Sequence, residues 1–160
     1  MLTIAEYREA IVDYLHQKIQ VKEPVNLYEP MVYILEQGGK RLRPVLVLMA
    51  AEIFDCNHKK ALDAALAIEV FHNFSLVHDD IMDDAPIRRG KKTVHEKWDI
   101  NTGILSGDAM LINAYQLFEN YEGDVFKELS KLFTKTAIEV CEGQQYDIDF
   151  ETRDNVSIED

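Results

Sequence analysis

The chain of 160 residues contains only two cysteines, Cys56 and Cys141, together with four prolines and seven glycines. Two cysteines are too few for a disulfide framework, so a reducing compartment is expected. The longest purely apolar run, residues 45–51, is much shorter than the roughly 20 residues that cross a bilayer. The first residues include Glu6 and Glu9 and lack the basic stretch and apolar run of a signal peptide. We therefore expect a cytoplasmic protein with no integral membrane segment.

Basic residues are also scarce in this sequence. It has 17 lysines and arginines against 29 aspartates and glutamates, which gives a formal net charge of −12. Nucleic acids and anionic membranes bind basic surfaces, so neither is expected as a partner. With 47% hydrophobic and 29% charged residues, the composition is typical of a folded globular protein. The length fits a single domain over residues 1–160.

The apolar residues recur at helical spacing and no segment alternates like a strand, which predicts an all-α fold. Thr3 and Glu6 form a capping-box signature at the start of the first helix, and Pro44 suits the first turn of the third. The first helix should carry residues 7–15 and the third residues 45–53. The remaining helices are expected at about residues 26–37, 58–84, 101–121 and 124–150.

Four aspartates, Asp79, Asp80, Asp83 and Asp84, lie at the C-terminal end of the predicted fourth helix. At about 100° per residue, Asp79 and Asp83 share one helix face with His72, and Asp80 lies beside it. Like charges at the negative end of the helix dipole are unfavourable without compensation. Magnesium, which is held by one or two carboxylates plus substrate phosphates, would compensate them. A solvated acidic helix end is the alternative interpretation.

Two basic clusters flank these aspartates along the chain. The stretch "GGKRLRP", residues 38–44, supplies Lys40, Arg41 and Arg43, and the second cluster contains Arg88, Arg89, Lys91 and Lys92. In so acidic a chain, two local basic clusters predict an anionic ligand, most simply phosphate, which arginine binds with a two-pronged fork. Basic side chains in solvent are the alternative. A histidine on a mostly apolar helix, such as His72, is by itself more typical of a core residue than of a ligand.

Three stretches together resemble the trans-isoprenyl diphosphate synthases, the polyprenyl synthetase family: "GGKRLRP", "FHNFSLVHDDIMDDAPIRRGK" (residues 71–91) and "ILSGDAMLINAY" (residues 104–115). The middle stretch combines the family's Asp-Asp-x-x-Asp motif with its Arg-Arg-Gly tail. The resemblance implies an all-α isoprenoid synthase type bundle around a central cavity. It also implies a prenyltransferase that uses Mg²⁺ to condense an allylic diphosphate with isopentenyl diphosphate, and a homodimer formed through the fifth and sixth helices.

The resemblance also implies a role for individual residues. Asp79 and Asp83 match the ligands of magnesium ions that hold the allylic diphosphate, with Asp80 in a supporting role. Arg88 matches the arginine that contacts the same diphosphate, and these four residues form the catalytic group. The residues that match the isopentenyl diphosphate site are Lys40, Arg43, His72 and Arg89.

Product length is expected to depend on Phe74 and Ser75. Phe74 lies five residues before Asp79, roughly 7.5 Å along the helix axis, where a ring would form part of the floor for the growing chain. An aromatic residue at this position resembles short- and medium-chain synthases, and small Ser75 differs from the second aromatic of the shortest-product animal-type enzymes. We therefore favour geranylgeranyl diphosphate, then farnesyl diphosphate, as the product. Ordinary core packing of Phe74 is the alternative.

The sequence departs from the family pattern in one respect. The family's second aspartate-rich motif, a Lys-Thr pair and a downstream lysine and glutamine are not found by residue 160. Residues 157–159 resemble the start of a further helix. The chain is therefore expected to be the N-terminal portion of a synthase, truncated after about the sixth helix and inactive, or nearly so, by itself.

Three other functions use parts of the same pattern. A class I terpene cyclase shares the aspartate motif but has no use for Lys40, Arg43 and Arg89. A metal phosphohydrolase pairing His78 with Asp79 leaves both basic clusters unexplained, and the two residues lie about 100° apart around the helix. A non-catalytic partner subunit remains open because the second aspartate-rich motif is missing.

Overall fold

The computed structural model of the chain describes residues 1–153 and 155–157. These residues form seven α-helices: α1 (Ile4–Lys18), α2 (Val25–Glu36), α3 (Leu42–Ile53), α4 (Leu62–Met82), α5 (Val94–Lys97), α6 (Ile100–Phe118) and α7 (Gly123–Phe150). A 3₁₀ turn at His58–Ala61 precedes α4, and a short antiparallel hairpin of β1 (Ile87–Arg88) and β2 (Lys91–Lys92) follows it. The predicted all-α class is confirmed. The central cavity implied by the resemblance stays a prediction.

The chain divides into two compact units, Met1–Asn120 and Tyr121–Asp160. In the first unit α4 is the central helix, and it packs most extensively on α6 and then on α3. Large buried side chains from α1, α2, α3, α4 and α6 form the core of this unit, among them Tyr7, Ile11, Met31, Ile34, Leu48, Leu66, Val70 and Met110. The second unit contains α7. The single domain over residues 1–160 stays a prediction.

Close contact between α4 and α6 depends on two glycines of α6. A Cβ atom on Gly107 would lie 2.3 Å from Nε2 of His78, and one on Gly103 would lie 2.9 Å from Cδ1 of Ile81. Nε2 of His78 lies 3.3 Å from the carbonyl oxygen of Ile104. The absence of side chains at these two positions therefore allows the acidic end of α4 to pack directly on α6.

Polar contacts stabilise the start of α1 and attach this helix to the end of α3. The predicted capping box is present, because the amide of Glu6 donates to Oγ1 of Thr3 over 3.3 Å and the amide of Thr3 donates to Glu6 over 2.7 Å. The hydroxyl of Tyr7 donates to Glu52 over 2.7 Å, and Nδ1 of His58 lies 2.6 Å from the same carboxylate. Hydrogen bonds from Tyr7 and then His58 lower the pKa of Glu52 to about 2.

The hairpin and α5 were not predicted from the sequence. The two strands are only two residues long, so neither shows an alternating pattern. Their turn residues, Arg89 and Gly90, have φ values of 51° and 78°, as in a type I′ turn, which usually contains Asn-Gly or Asp-Gly. The predicted absence of strands was therefore wrong for residues 87–92.

Some predicted helix limits also differ from the structure. The helix α4 ends at Met82, so Asp83 is its C-cap rather than an internal residue. The helix α2 begins at Val25, one residue before the expected start, and its N-cap residue Pro24 provides no side-chain cap. The predicted further helix at residues 157–159 involves Ile158 and Glu159, which lie outside the described residues. Within the described part of the chain, none of the helices is long and apolar enough to cross a membrane.

Candidate functional site

The hairpin holds Arg88 over the aspartates at the end of α4. Its Nε atom donates to Oδ1 of Asp80 over 2.8 Å, and its Nη2 atom lies 2.8 Å from the same oxygen and 3.4 Å from Oδ2 of Asp79. The hydrogen bond to Asp80 raises the pKa of Arg88. The side chain of Asp80 is 1% exposed, that of Asp79 is 32% exposed, and Asp83 is exposed. Asp80 therefore positions Arg88, whereas Asp79 and Asp83 are accessible to a ligand.

The carboxylates fit a magnesium ion that is shared with a phosphate ligand. Among residues 1–153 and 155–157, no group of three or more histidine, cysteine, aspartate or glutamate side chains is placed to hold a metal ion by itself. Oδ2 of Asp80 is buried and accepts no hydrogen bond from any residue that the structure describes. In many proteins magnesium binds only one or two carboxylates, and water and phosphate oxygens complete its octahedral coordination. The donor set of Asp79 and Asp83 satisfies that requirement.

A separate pocket of about 210 Å³ lies at the start of α3. We call it the basic pocket; its lining residues are Gly39, Lys40, Arg41, Leu42, Arg43, Glu69, His72 and Arg89. Nη1 of Arg43 lies 3.3 Å from Nε2 of His72, and Nη1 of Arg89 donates to the carbonyl oxygen of Gly38. The fold therefore brings together the four residues that the resemblance matched to isopentenyl diphosphate, although they come from three separate segments.

The electrostatics of the basic pocket favour an anion. Burial and then the charge of Arg43 lower the pKa of His72, so its ring is neutral near pH 7 and accepts a hydrogen bond from Arg43. Burial and then the charge of Arg41 lower the pKa of Arg89. Because these cations disfavour one another, a bound anion would relieve their mutual repulsion.

One buried network under the basic pocket was missed by the sequence analysis, which treated Arg41 only as a member of the basic cluster. Arg41 donates from Nη1 to the carboxylate of Glu69 and from Nη2 to the carbonyl oxygen of Leu35. The side-chain amide of Asn73 donates to the same carboxylate over 3.0 Å. Glu69 is an isolated acid within the apolar stretch 64–71, and that position could have indicated a buried partner.

The remaining predicted residues all lie on α4. Phe74 is half-buried, and its ring centroid lies 5.5 Å from that of Phe71 and 4.8 Å from that of His78. The hydroxyl of Ser75 donates to the carbonyl oxygen of His72 over 2.8 Å. The ring of His78 packs on α6 at Gly107, and its Nε2 atom lies 3.8 Å from Oδ1 of Asp108.

Known proteins resemble this chain over most of its length. The family model described as polyprenyl synthetase matches residues 24–160. A geranylgeranyl pyrophosphate synthase of Geoglobus acetivorans is 40% identical over 156 residues, which are 96% of this chain and 49% of that protein. A geranylgeranyl diphosphate synthase of Methanosarcina mazei is 42% identical over 151 residues, 93% of this chain and 46% of that protein.

A solved structure of a geranylgeranyl pyrophosphate synthase is similar to this chain with a TM-score of 0.97 and 59% identity. The match covers 99% of this chain and 48% of the solved one. The chain thus spans about half the length of the proteins that it matches.

Proposed function

This chain belongs to the polyprenyl synthetase family, and we propose that the full-length protein is a trans-prenyltransferase that condenses an allylic diphosphate with isopentenyl diphosphate. The observation that carries the proposal is the convergence of Lys40, Arg43, His72 and Arg89 on one pocket. His72 lies on the same helix as Asp79, about 10 Å along its axis. One helix therefore contributes to two neighbouring anion sites, which is what a reaction between two diphosphates requires.

The two sites differ in their side-chain chemistry because one substrate keeps its diphosphate and the other loses it. Isopentenyl diphosphate keeps its diphosphate throughout the reaction, and a pocket of Lys, Arg and His side chains binds that group without promoting its departure. The allylic substrate must lose its diphosphate, so its site contains the carboxylates Asp79 and Asp83. A magnesium ion held there would neutralise the negative charge that develops on the leaving group.

The chain's own residues bind and orient both substrates. Arg88, fixed by Asp80, lies beside Asp79 and can donate to the allylic diphosphate. In the reaction the allylic C–O bond breaks, the alkene of isopentenyl diphosphate forms the new C–C bond, and a proton is lost to the released diphosphate. Arg43 and the neutral ring of His72 hold the second diphosphate so that its alkene faces the allylic carbon.

The test of this function is a comparison of Michaelis constants in the full-length protein. Arg43→Ala and His72→Ala should raise KM for isopentenyl diphosphate by about tenfold or more, with a smaller effect on the allylic substrate, because a lost charged hydrogen bond is worth about 1.5–3 kcal/mol. Arg88→Ala should do the reverse. Lys59→Ala, at an exposed position of the 3₁₀ turn before α4, is the matched control. Equal effects of all three changes on both substrates would contradict the assignment of the two sites.

The names of the relatives support the longer of the two expected products, and we propose geranylgeranyl diphosphate rather than farnesyl diphosphate.

We also propose a cytoplasmic homodimer. Exposed apolar side chains occur on α6, at Leu105 and Ile112, and separately on α7, at Leu132 and Ile138, and each set is available for a subunit interface. Light scattering should show a dimer that Leu105→Lys weakens, and a monomeric wild-type protein at micromolar concentration would contradict it.

A further inference from the structure

One wall of the basic pocket contains a buried ion pair with no assigned function. Arg41, Glu69 and Asn73 are all buried, and both Arg41 and Glu69 line the pocket. A buried carboxylate in the wall of a diphosphate site is unexpected, because it repels the ligand. Its presence requires a physical reason.

The contacts of Arg41 connect the start of α3 to two other helices. Through Glu69 the guanidinium is attached to α4. Through the carbonyl oxygen of Leu35 it is attached to the last turn of α2, where helix carbonyls lack partners within the helix. The backbone of Arg41 starts α3 with φ of 52°, a left-handed conformation that residues other than glycine rarely adopt. Such a backbone persists only where its surroundings impose it.

The glycines before Arg41 allow the same segment to contact a second arginine, Arg89. Gly38 and Gly39 have φ values of 80° and 125°, and a Cβ atom on Gly39 would lie 3.2 Å from the guanidinium of Arg89. Arg89 also donates to the carbonyl oxygen of Gly38. The path of residues 38–41 therefore determines where Arg89 and the following Arg43 can place their guanidinium groups.

We propose that Arg41 is a positioning residue, held by Glu69, which in turn accepts a hydrogen bond from Asn73, and that it fixes residues 38–43 in the shape that binds the diphosphate of isopentenyl diphosphate. In this proposal Arg41 acts on the ligand through residues 38–43, because its side chain is buried and its two terminal nitrogens donate to Glu69 and to the carbonyl oxygen of Leu35. Glu69 is present to hold Arg41 in place. This inference rests on the proposed function of the basic pocket and adds the residue that organises it.

The test separates positioning from stability by means of two variants. Arg41→Lys keeps the charge, but a single ammonium group cannot reproduce the guanidinium's fork towards Glu69 and Leu35. The double variant Arg41→Met with Glu69→Met replaces the buried ion pair by apolar side chains, an exchange that often preserves stability. In the full-length protein both should raise KM for isopentenyl diphosphate by about tenfold, because small displacements of binding groups are costly. KM for the allylic substrate should stay unchanged.

The control variant is Tyr7→Phe, which removes a hydrogen bond between α1 and α3 without touching the pocket. It should lower the free energy of unfolding but leave both Michaelis constants unchanged. If the stably folded double variant retains the wild-type KM for isopentenyl diphosphate, or if both substrates are affected equally, the inference is wrong.

Titration with inorganic diphosphate distinguishes failure of this inference from failure of the proposed function. The resonance of the His72 ring reports binding in the basic pocket without any turnover. Weaker diphosphate binding in both Arg41 variants supports the inference even if the wild-type protein shows no prenyl transfer, an outcome that would contradict only the proposed function. Unchanged binding in both variants overturns the inference.

Discussion

At the scale of single residues, His72 shows that the role of a residue depends on its place in the fold. On the sequence it was one histidine on an apolar helix, and only the fold places Arg43 3.3 Å from its ring. The same contact makes His72 a sensitive reporter of the pocket. The groups that act on its charge are Arg43, Arg88 and Arg89, which disfavour protonation, and Glu69, which favours it.

The first prediction concerns the titration of His72. Burial and Arg43 should keep its pKa below 6.5. Because the unfolded chain then binds more protons than the folded one between the folded pKa and 6.5, the contribution of His72 to stability should fall as the pH is lowered through that window. Proton NMR of the ring should show the low pKa, and Arg43→Met should raise it. Inorganic diphosphate should raise it as well, since the anion stabilises the imidazolium.

Lys18→Met provides the control for this titration. The ammonium group of Lys18 lies over the ring of Tyr14, 5.3 Å from its centroid, and is not among the charges that act on His72. Removal of this lysine should leave the pKa of His72 unchanged. A His72 pKa at or above 6.5 in the wild-type chain, or one that Arg43→Met does not move, would contradict the prediction.

The second prediction concerns product length. Ser75 lies one helical turn before Asp79 on nearly the same face, so Ser75→Phe should place a ring next to the allylic site and shorten the products. Phe74 already contacts Phe71 and His78, and Phe74→Ala should open the floor and lengthen them. Chromatography of the products from the full-length protein measures both effects. An unchanged distribution in both variants, with folding and rate preserved, would place the floor elsewhere and leave Phe74 as a packing residue.

At the scale of elements, the long helices could be predicted from the sequence, whereas α5 and the connections could not. The long helices α4, α6 and α7 repeat apolar residues over many turns, and this periodicity indicates them to within a few residues at each end. The hairpin of residues 87–92 has no such repetition, and Arg89 adopts a left-handed backbone that its residue type does not favour. Four residues are likewise too few for α5 to show a period.

The third prediction concerns the packing of α4 on α6. Gly107→Ala would place a methyl group 2.3 Å from Nε2 of His78, whose ring is also confined by Phe74 and the carbonyl oxygen of Ile104. We expect a loss of about 1–3 kcal/mol in the free energy of unfolding, as for an overpacked core. Urea denaturation of the chain measures it.

Gly143 in α7 is the matched control, because a Cβ atom there would meet nothing within 4 Å. Gly143→Ala should stabilise the chain by about 0.5–1 kcal/mol, since alanine loses less backbone entropy in a helix. If Gly107→Ala proved as harmless as Gly143→Ala, the close approach of α4 and α6 would not be a constraint on the fold.

At the scale of the whole molecule, the candidate site combines segments that are far apart in the sequence. The resemblance assigned Lys40, Arg43, His72 and Arg89 to one substrate, but no spacing rule could show that residues 40 and 89 share a pocket. The Arg41–Glu69 pair was not found because a charge in a basic stretch is normally solvated. Long-range pairing of buried charges depends on tertiary packing, and local patterns carry little information about it.

At this scale the net charge of −12 affects how the molecule can bind anionic ligands. An acidic molecule repels diphosphates in general, so binding must depend on local fields that extend only about 10 Å at moderate ionic strength. In the basic pocket the field comes from fixed side chains. At Asp79 and Asp83 the protein is itself negative, so under the proposed function a diphosphate binds there together with a cation.

The last prediction follows from this difference between the two sites. Removal of divalent metal with a chelator should weaken binding of an unreactive allylic diphosphate analogue to the full-length protein by roughly 100-fold or more, because metal–phosphate interactions contribute several kcal/mol. Isopentenyl diphosphate, for which we propose binding by Lys40, Arg43, His72 and Arg89, should bind about as well as before. Calorimetry measures both ligands, and Asp79→Asn should reproduce the effect of the chelator on the allylic analogue alone. If the chelator weakens both ligands equally, the basic pocket is not metal-independent; if it weakens neither, the aspartates of α4 do not hold a metal ion.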